Sequence, residues 1–500
     1  MKTKQKTEGS PSVVLISLYD HDAFGLRNMH GLLKKNGFKS SLIFFKELLW
    51  KINEPSENEI NLLINKIKEL NPTVIGFSVR SPFLKIATDL TERLKPLNKL
   101  VIWGNIHPTV KPDECIKYAD MICIGDGEFP MLKLMKNLKD KKDFSNIKNL
   151  WVKKNNKIKK NPIEDLNQDL DSVTFYDFST VDKYYINEEK LISFDPKLKY
   201  SQYDIMVGRG CPYACAYCTN SYLHKLYKDK GCFLRKRSVK KVIEELVEAK
   251  NKLDIKEVYF YDEVFVLDKK WLDDFLKEYK VKINLPFSLC LHPNIVTEEI
   301  VGKLKHYGLE RVGIGIQSGS QRVRYELFNR FVSDEKILEV AKIFNKFKVM
   351  ATYDIILDNP YETEADMKDG INLLLKLKRP YNLNVFSLVN LPKTDLTERM
   401  IKDNINPASN LFNWKMDINK KREKKKQIYN LKMSLFSKSF FPKFLIRDIN
   451  DKTVLFLAVK ASNFTKLGFM AFRLFLAGKI NIALLRYYLR NYRKFSNFQR

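Results

Sequence analysis

Val207-Gly-Arg-Gly-Cys211-Pro-Tyr-Ala-Cys215-Ala-Tyr-Cys218-Thr-Asn220 is the stretch on which the reading of this 500-residue chain turns. It follows a short apolar strand, Tyr203 to Val207. Three cysteines within eight residues can offer thiolates to three irons of a four-iron, four-sulfur cluster. The fourth iron then has no protein ligand, and an open metal position is where a small molecule binds. Tyr217, just ahead of the last cysteine, is placed to cover one side of that position. Two plainer readings stand beside this one. The cysteines could hold zinc with His224 or Cys232 as the fourth ligand, but structural zinc sites usually come as two separated pairs, and no second pair exists here. They could be inert buried thiols, but glycines and polar neighbours make a poor core.

Downstream, apolar strands and helical stretches alternate as far as about Pro392. A helix is expected from Val239 to Leu253. Strands are expected at Glu257–Phe265, Phe287–Leu291, Arg311–Ile316, Ala351–Leu357 and Asn384–Leu388. With the strand before the cysteines this makes six β/α units. That is an incomplete version of the eight-stranded barrel, whose site lies at the C-terminal strand ends. Polar residues gather there: Asp262 and Glu263, Gln317-Ser318-Gly319-Ser320, Arg330, Asp358-Asn-Pro-Tyr-Glu362-Thr, and Leu391-Pro-Lys393-Thr394-Asp-Leu396. The plain alternative for each acid is a helix cap or an ion pair. Glu362, for one, opens an amphipathic helix and suits its dipole. Cys232 and Cys290 read as small buried hydrophobes.

Upstream, residues 13–145 alternate in the same way. Val13–Leu18 reads as a buried strand followed by a helix through Leu33; Ser41–Phe45, Thr73–Ser78, Leu100–Trp103 and Met121–Ile124 are further strands. Short continuous apolar runs between helices predict a parallel sheet covered on both faces. Ligands of such sheets bind beyond the carboxyl ends of the strands. Ser78, Gly104-Asn-Ile-His107-Pro-Thr109 and Gly125-Asp-Gly-Glu128 stand at those ends. Glycine permits close backbone approach, and a helix start offers free N–H groups. The plain reading of His107 and of His21 is a surface or capping role.

The expected fold class is therefore α/β. A Rossmann-like doubly wound domain (1–145) is followed by a connector with one hairpin (146–200), the partial barrel (201–395) and a basic helical region (396–500). Seven cysteines, three of them in one motif, do not form a disulfide framework and fit a reducing cytoplasm. The first ten residues hold no apolar run, so no signal peptide is expected, and no stretch is long enough for a membrane span. The net charge is +29, and residues 401–500 carry 22 Lys and Arg against 5 Asp and Glu. Such asymmetry points to an anionic surface or substrate. Lys415–Lys426 reads as a basic helix. The stretches Val454–Val459, Leu467–Ala477 and Ile482–Leu489 are apolar with isolated cations. These segments suit either reversible contact with an anionic membrane or a helical cap over the barrel mouth. Charge alone also fits nucleic acid, but no recognised RNA-binding module is visible and none is expected to bind.

The cysteine loop resembles the signature of the radical S-adenosylmethionine (radical SAM) superfamily, and the resemblance runs through the barrel segment. It implies that the open iron chelates the amino and carboxylate groups of SAM, and that the reduced cluster cleaves SAM to a 5′-deoxyadenosyl radical. Asp262 and Glu263 stand where the family places a group on the SAM amino nitrogen. Gln317 and Ser318 match its Glu/Gln-Ser-Gly-Ser element near the ribose and methionine part. Arg330 matches an arginine that often faces the SAM carboxylate, which a guanidinium suits bidentately. Two departures are Asp358-Asn for the usual start of Gly-x-Pro-x-Glu-Thr, and Lys393 for Gly in Pro-Gly-Thr-x-Leu.

The N-terminal third resembles the cobalamin-binding domain found ahead of that barrel in one large class. The Gly-x-x-His-Pro-Thr and Gly-Asp-Gly-Glu elements carry the likeness, and Ser78, Gly104, His107, Thr109, Gly125 and Glu128 would border the cofactor. Domains that ligate cobalt through histidine carry Asp-x-His-x-x-Gly; here Asp20-His21-Asp22-Ala-Phe-Gly25 sets the histidine one place early. His21 is therefore not expected on cobalt.

Residues 13–396 together are similar to cobalamin-dependent radical SAM enzymes. The resemblance implies a [4Fe-4S] cluster on Cys211, Cys215 and Cys218, with SAM and cobalamin. It implies methylation of an unactivated carbon, with the methyl group drawn from methylcobalamin. The alternatives are a cobalamin-dependent cyclase or rearrangement enzyme, and a non-catalytic cobalamin sensor or store. A methylthiotransferase is disfavoured, because its additional cluster cysteines and RNA-binding tail are missing. Expected partners are a small-molecule or lipid-like substrate and an electron donor such as flavodoxin or ferredoxin.

Overall fold

The computed structural model describes residues 10–48, 53–155, 157–173, 176–265, 268–407, 424–437, 443 and 446. Residues 1–415 form one compact unit and 416–500 a second.

The apolar runs of the N-terminal third form β1 (Ser12–Leu18), β2 (Lys39–Phe45), β3 (Val74–Ser78), β4 (Leu100–Gly104) and β5 (Met121–Cys123). They pair in parallel in the order β5-β4-β3-β1-β2. Alternate side chains of each strand enter two separate cores, which is why the runs are continuously apolar. Leu15, Phe44 and Ile102 pack with Leu32 and Leu134 of the helices Phe24–Lys35 and Glu128–Lys139. Ile16, Ile43 and Ile75 pack with Leu63 and Leu90 of the helices Glu57–Leu70 and Leu84–Leu94.

The expected connector widens this sheet on both edges. β6 (Leu150–Lys154) and β7 (Lys157–Lys160) form the anticipated hairpin and add antiparallel to β5. β8 (Lys183–Asn187) runs parallel beside β2, and β9 (Lys190–Ile192) closes that edge, giving nine strands. Asp195, also in this segment, is buried against Arg27 at 2.6 Å and Lys183 at 3.1 Å. A charged cluster of this kind reports only through its distant partners.

The second sheet holds β10 (Gln202–Ile205), β13 (Glu257–Phe260), β14 (Phe287–Leu291), β15 (Leu309–Gln317), β16 (Met350–Leu357) and β17 (Asn382–Ser387). All pairs are parallel and the strands neighbour in chain order, with β10 and β17 at the two edges. A small ribbon of β11 (Gly208–Arg209) and β12 (Arg235–Lys236) stands beside its first strand. The second strand stops at Phe260, short of the expected Phe265, and leaves Asp262 and Glu263 on the loop that follows.

In the second unit a helix spans Lys424–Phe436, later than the basic helix expected at 415–426. Ile428, Leu431 and Leu435 are buried. The three apolar C-terminal stretches lie outside the described residues. Among those described, no helix is long and apolar enough to cross a membrane.

Candidate functional site: a cysteine loop facing the edge of the first sheet

The cysteine loop leaves β10 and is clamped from three sides. The Ala216 N–H donates to the Phe328 carbonyl at 2.8 Å, the Leu396 N–H to the Ala216 carbonyl at 2.8 Å, and the Asn329 amide to the Ala214 carbonyl at 3.0 Å. Asp262 holds the approach to the loop. Its carboxylate accepts the N–H groups of Val207 (3.0 Å) and Gly208 (2.5 Å), while burial pushes its pKa up to about 6. The Asp262 oxygens are thus occupied by backbone. The neighbouring Glu263 lines the open space beside the loop and is held by the Asn220 side chain and the Gly210 backbone. Gly210 sits at φ +93°, where an L side chain would strain and would also meet the Phe233 carbonyl.

Cys211 and Cys215 are buried and Cys218 is half-buried. Burial pushes the Cys211 thiol up to about 12 and the Cys218 thiol up to about 11. Thiols in such a site ionise only against a positive partner, and a metal supplies one. Ligands of one ion must converge on one point, and among the described residues no three His, Cys, Asp or Glu side chains do so. The three thiolates of a four-iron cluster surround one cubane, each on its own iron, and stand further apart than the ligands of a single ion. Neither proposed zinc ligand is free: His224 Nε2 pairs with the Cys211 carbonyl at 2.8 Å, and Cys232, expected to be buried, is exposed with its thiol on the Leu234 carbonyl. The donor set therefore fits a cluster better than zinc.

Arg330 lies over this loop. Its Nη1 is 3.5 Å from Cys215 Sγ, its Nη2 donates to the Gly315 carbonyl at 2.5 Å, and its Nε is buried without a partner. A buried guanidinium with a free N–H is suited to a carboxylate. His292, stacked on Tyr213 with ring centroids 3.7 Å apart, stays neutral; burial and then Arg330 hold its pKa down to about 3. Gln317 ends β15 at φ +70°, beside a break in the β15–β16 register. Tyr217 meets Phe328 edge-on at 4.8 Å and packs beside an apolar cluster that includes Ala216 and Leu396. Ser318 and Ser320 are structural: Ser318 Oγ accepts from the Ser320 N–H, and Ser320 donates to Asp366 at 2.7 Å.

The edge of the first sheet faces this loop. A cavity of about 450 Å³ runs from Leu15, Gly76 and Ile102 outward past Ser78, Gly104 and Gly125 to Arg209 and Glu263. A second, of about 360 Å³, shares Asn105, Gly125, Asp126, Met206, Arg209 and Glu263 with it, and reaches Thr109 and Asp262. A Cβ on Gly25 would meet nothing within 4 Å, and one on Gly104 nothing closer than 3.8 Å, so these glycines leave a cradle open. A flat macrocycle needs backbone at its edge, and this edge provides it.

Arg209 joins the two halves. Standing between two glycines just ahead of Cys211, its guanidinium pairs with Glu128 and, at 3.2 Å, with Asp126; Arg235 binds Asp126 at 2.7 Å. Burial would raise Asp126, but Arg209 and Arg235 outweigh it and hold the carboxyl low. Glu128 is thus taken by Arg209 rather than free for a ligand. Thr109 Oγ1 accepts the Gly125 N–H at 3.0 Å and shapes the turn. The Asn105 amide donates to Ser78 Oγ at 2.7 Å.

The histidines stand apart. His107 is buried with Nδ1 on Ser81 Oγ at 2.9 Å, and it borders neither cavity. His21 stacks on Tyr200, with ring centroids 5.1 Å apart. No histidine is among the described residues that line the larger cavity. Arg209, Arg235, Asn105 and Met206 were not anticipated. The signal for Arg209 lay in plain view, as a single long cation between glycines in the quoted stretch.

A sheet edge with glycines, facing a three-cysteine loop on a six-stranded parallel barrel, defines a two-cofactor protein. Residues 11–134 match the B12 binding domain and residues 205–374 the radical SAM superfamily. The chain belongs to the cobalamin-dependent radical SAM enzymes, whose cofactors are a [4Fe-4S] cluster, SAM and cobalamin. It is 26% identical over 347 residues to an uncharacterized methyltransferase of Pyrococcus horikoshii, covering 68% of this chain and 72% of that one. It is 22% identical over 324 residues to the anaerobic magnesium-protoporphyrin IX monomethyl ester cyclase of Cereibacter sphaeroides, covering 61% and 50%. Its fold is similar to the radical SAM methyltransferase TsrM of Kitasatospora setae, solved with cobalamin and a [4Fe-4S] cluster (TM-score 0.63, 14% identity, 79% of this chain and 78% of that one).

Proposed function

We propose that this protein transfers a methyl group to an unactivated carbon of a small molecule. The observation that carries the reading is the face-to-face placement of the cradle at the first sheet's edge and the cysteine loop, locked by Arg209. When bound, the cluster, SAM and cobalamin supply radical formation and a methyl group; the protein supplies position and dryness. Cys211, Cys215 and Cys218 hold the cluster, and the backbone clamp keeps the loop rigid. Arg330, with its unpartnered Nε–H, would hold the SAM carboxylate. Glu263, which borders both cavities, is the carboxylate that would meet the SAM amino end. Gly25, Gly104 and Gly125, which line the cavity, would border the corrin ring, with Ser78 and Asn105 beside them. Tyr217 and Phe328 keep water from the loop.

The test is anaerobic turnover with SAM bearing a deuterated methyl group, followed by mass spectrometry of the product. Three deuteriums in the product support methyl transfer. A product formed without label supports the cyclase or rearrangement reading, which the cyclase relative favours as the second choice. An external one-electron donor of the flavodoxin or ferredoxin kind would reduce the cluster. The cationic C-terminal hundred residues would give reversible contact with an anionic membrane surface. Co-sedimentation with anionic but not neutral vesicles, lost as salt rises toward 1 M and the Debye length falls to about 3 Å, checks this.

A further inference from the structure

The amino ends of the first sheet's strands border a lysine-lined hollow of about 360 Å³. Its walls are residues 95 to 101 on the way into β4, Lys117, Tyr118 and Asp120 ahead of β5, and Lys153 of β6. Tyr118 is held in place by stacking on Trp103, with ring centroids 5.8 Å apart. The hollow is remote from the cradle at the other end of the sheet. Leu100 opens β4 and Gly104 closes it, and four steps of about 3.3 Å set the two about 13 Å apart.

Lys95, Lys99, Lys117 and Lys153 all line this space, against the single carboxylate of Asp120. Lys95 is answered by Glu92 at 2.5 Å. Asp120 accepts the Val101 N–H at 2.9 Å. Lys99 and Lys117 make no ion pair among the described residues. Lys153 donates to the Lys117 carbonyl at 3.1 Å, a neutral partner that leaves its charge uncancelled. Three uncancelled ammonium groups thus share one recess with one carboxylate.

In a lysine-rich chain the plain reading of such a patch is a solvated face. Elsewhere, though, lysines on the helices are answered within one turn: Lys66 by Glu69, Lys241 by Glu244 and Lys252 by Glu248. The hollow departs from that pattern. Its rim adds further charge, because β6 and β7 set Lys154 opposite Lys157, and like charges facing across a ladder destabilise it. A recess lined by one sign of charge, with low-dielectric walls, focuses its field on whatever enters.

We propose that this hollow binds a small phosphate-bearing anion, with Lys99 and Lys117 on the phosphoryl oxygens and Lys153 beside them. Lysine suits phosphate as a compact point charge with three donors. A doubly charged group matches the excess of the three uncancelled lysines over Asp120. Small-molecule pockets begin at about 300 Å³, so the space exceeds a bare phosphate and admits a carbon skeleton beyond it. Walls on three sides suit a free molecule better than a headgroup fixed in a bilayer or a polynucleotide strand. The site stands apart from the cofactors and does not depend on the reaction they support.

The test is equilibrium dialysis of the full chain, loaded with cluster and cobalamin, against radiolabelled inorganic phosphate. Mildly alkaline pH keeps the phosphate doubly charged, and about 0.1 M KCl sets a Debye length of about 10 Å. One equivalent is expected to bind saturably, and more tightly than acetate. Lys99→Gln with Lys117→Gln should weaken phosphate at least tenfold, while iron–sulfur absorbance and reductive SAM cleavage stay at wild-type levels. Lys277→Gln with Lys368→Gln removes the same charge at exposed positions elsewhere and should change the affinity less than twofold. No saturable binding, an unchanged affinity in the first variant, or equal losses in both overturns the proposal. Displacement of phosphate by SAM, or binding seen only with phosphatidate vesicles or single-stranded DNA, overturns it too. Should the first variant fail to fold, Lys117→Gln alone, at an exposed position, decides by the same comparison.

Discussion

The two parallel sheets of this protein are built from similar apolar strands but use their faces differently. In the first, Val13 to Ile16 of β1 are all buried, because helices cover both faces. In the second, helices cover one face, and the other shows Gly313, Thr352, Asp354 and Asn384. A sheet packed on both faces can offer a ligand only its edge. The first sheet is thus suited to carry a cofactor on its rim, and the second carries the cysteine loop past the end of its first strand. Arg209 is where the two arrangements meet.

Removing the cysteines should test the independence of the two sheets most severely. The triple variant Cys211→Ala, Cys215→Ala, Cys218→Ala is expected to lose iron–sulfur absorbance and all reductive SAM cleavage, yet to keep cobalamin and the circular dichroism of the wild type. Loss of cobalamin in the same variant would show that the sheets are not separable. Arg209→Met attacks the joint itself. It leaves Glu128 buried without its cation, a change that costs about 3–5 kcal/mol for a fully buried pair. About 3 kcal/mol is expected, since a fifth of the Arg209 side chain is exposed and Arg235 still holds Asp126. Urea denaturation measures the loss, and adding Glu128→Gln should recover part of it.

Gly104→Leu sharpens the view of the first sheet's edge. The added side chain finds free space, so stability should change by less than about 1 kcal/mol. Cobalamin affinity, followed by the visible spectrum during dialysis, should drop about tenfold. An unchanged affinity would place the cofactor elsewhere. His21→Ala and His107→Ala are subtler. Neither imidazole borders the larger cavity, so the electron paramagnetic resonance spectrum of the cob(II)alamin form should show no nitrogen splitting that depends on either one. A splitting abolished by His21→Ala would contradict the geometry. The smallest effect is expected at Lys393, whose φ is +65°. Lys393→Gly should stabilise by at most about 1 kcal/mol, the left-handed strain relieved being partly offset by glycine's entropy.

Much of this was legible in the residues alone. The eleven strands expected in the two sheets all form, and the cysteine loop stands at the end of the first barrel strand. Apolar periodicity reports burial directly, and the spacing of three cysteines is a local fact. The legible part of the site was likewise local: a loop, a glycine turn, a strand end. Asp262 shows the limit. Its position after β13 was clear, but its engagement by the Val207 and Gly208 N–H groups depends on a turn 54 and 55 residues away. His107 shows the same: its strand-end position was evident, and its burial against Ser81 was not.

By itself the sequence determined that two α/β layers follow one another, that a cluster loop lies between strand and helix, and that the last fifth is strongly cationic. Those properties are set by neighbours along the chain, through hydrophobic period and backbone preference. Tertiary structure alone decided that residues 150–192 widen the first sheet, that Arg209 reaches Glu128 across 81 residues, and that the Val207 and Gly208 N–H groups occupy Asp262. The reason is physical: an ion pair or an unpaired charge is a relation between distant groups, and only the fold brings such groups within a few ångströms or keeps them apart.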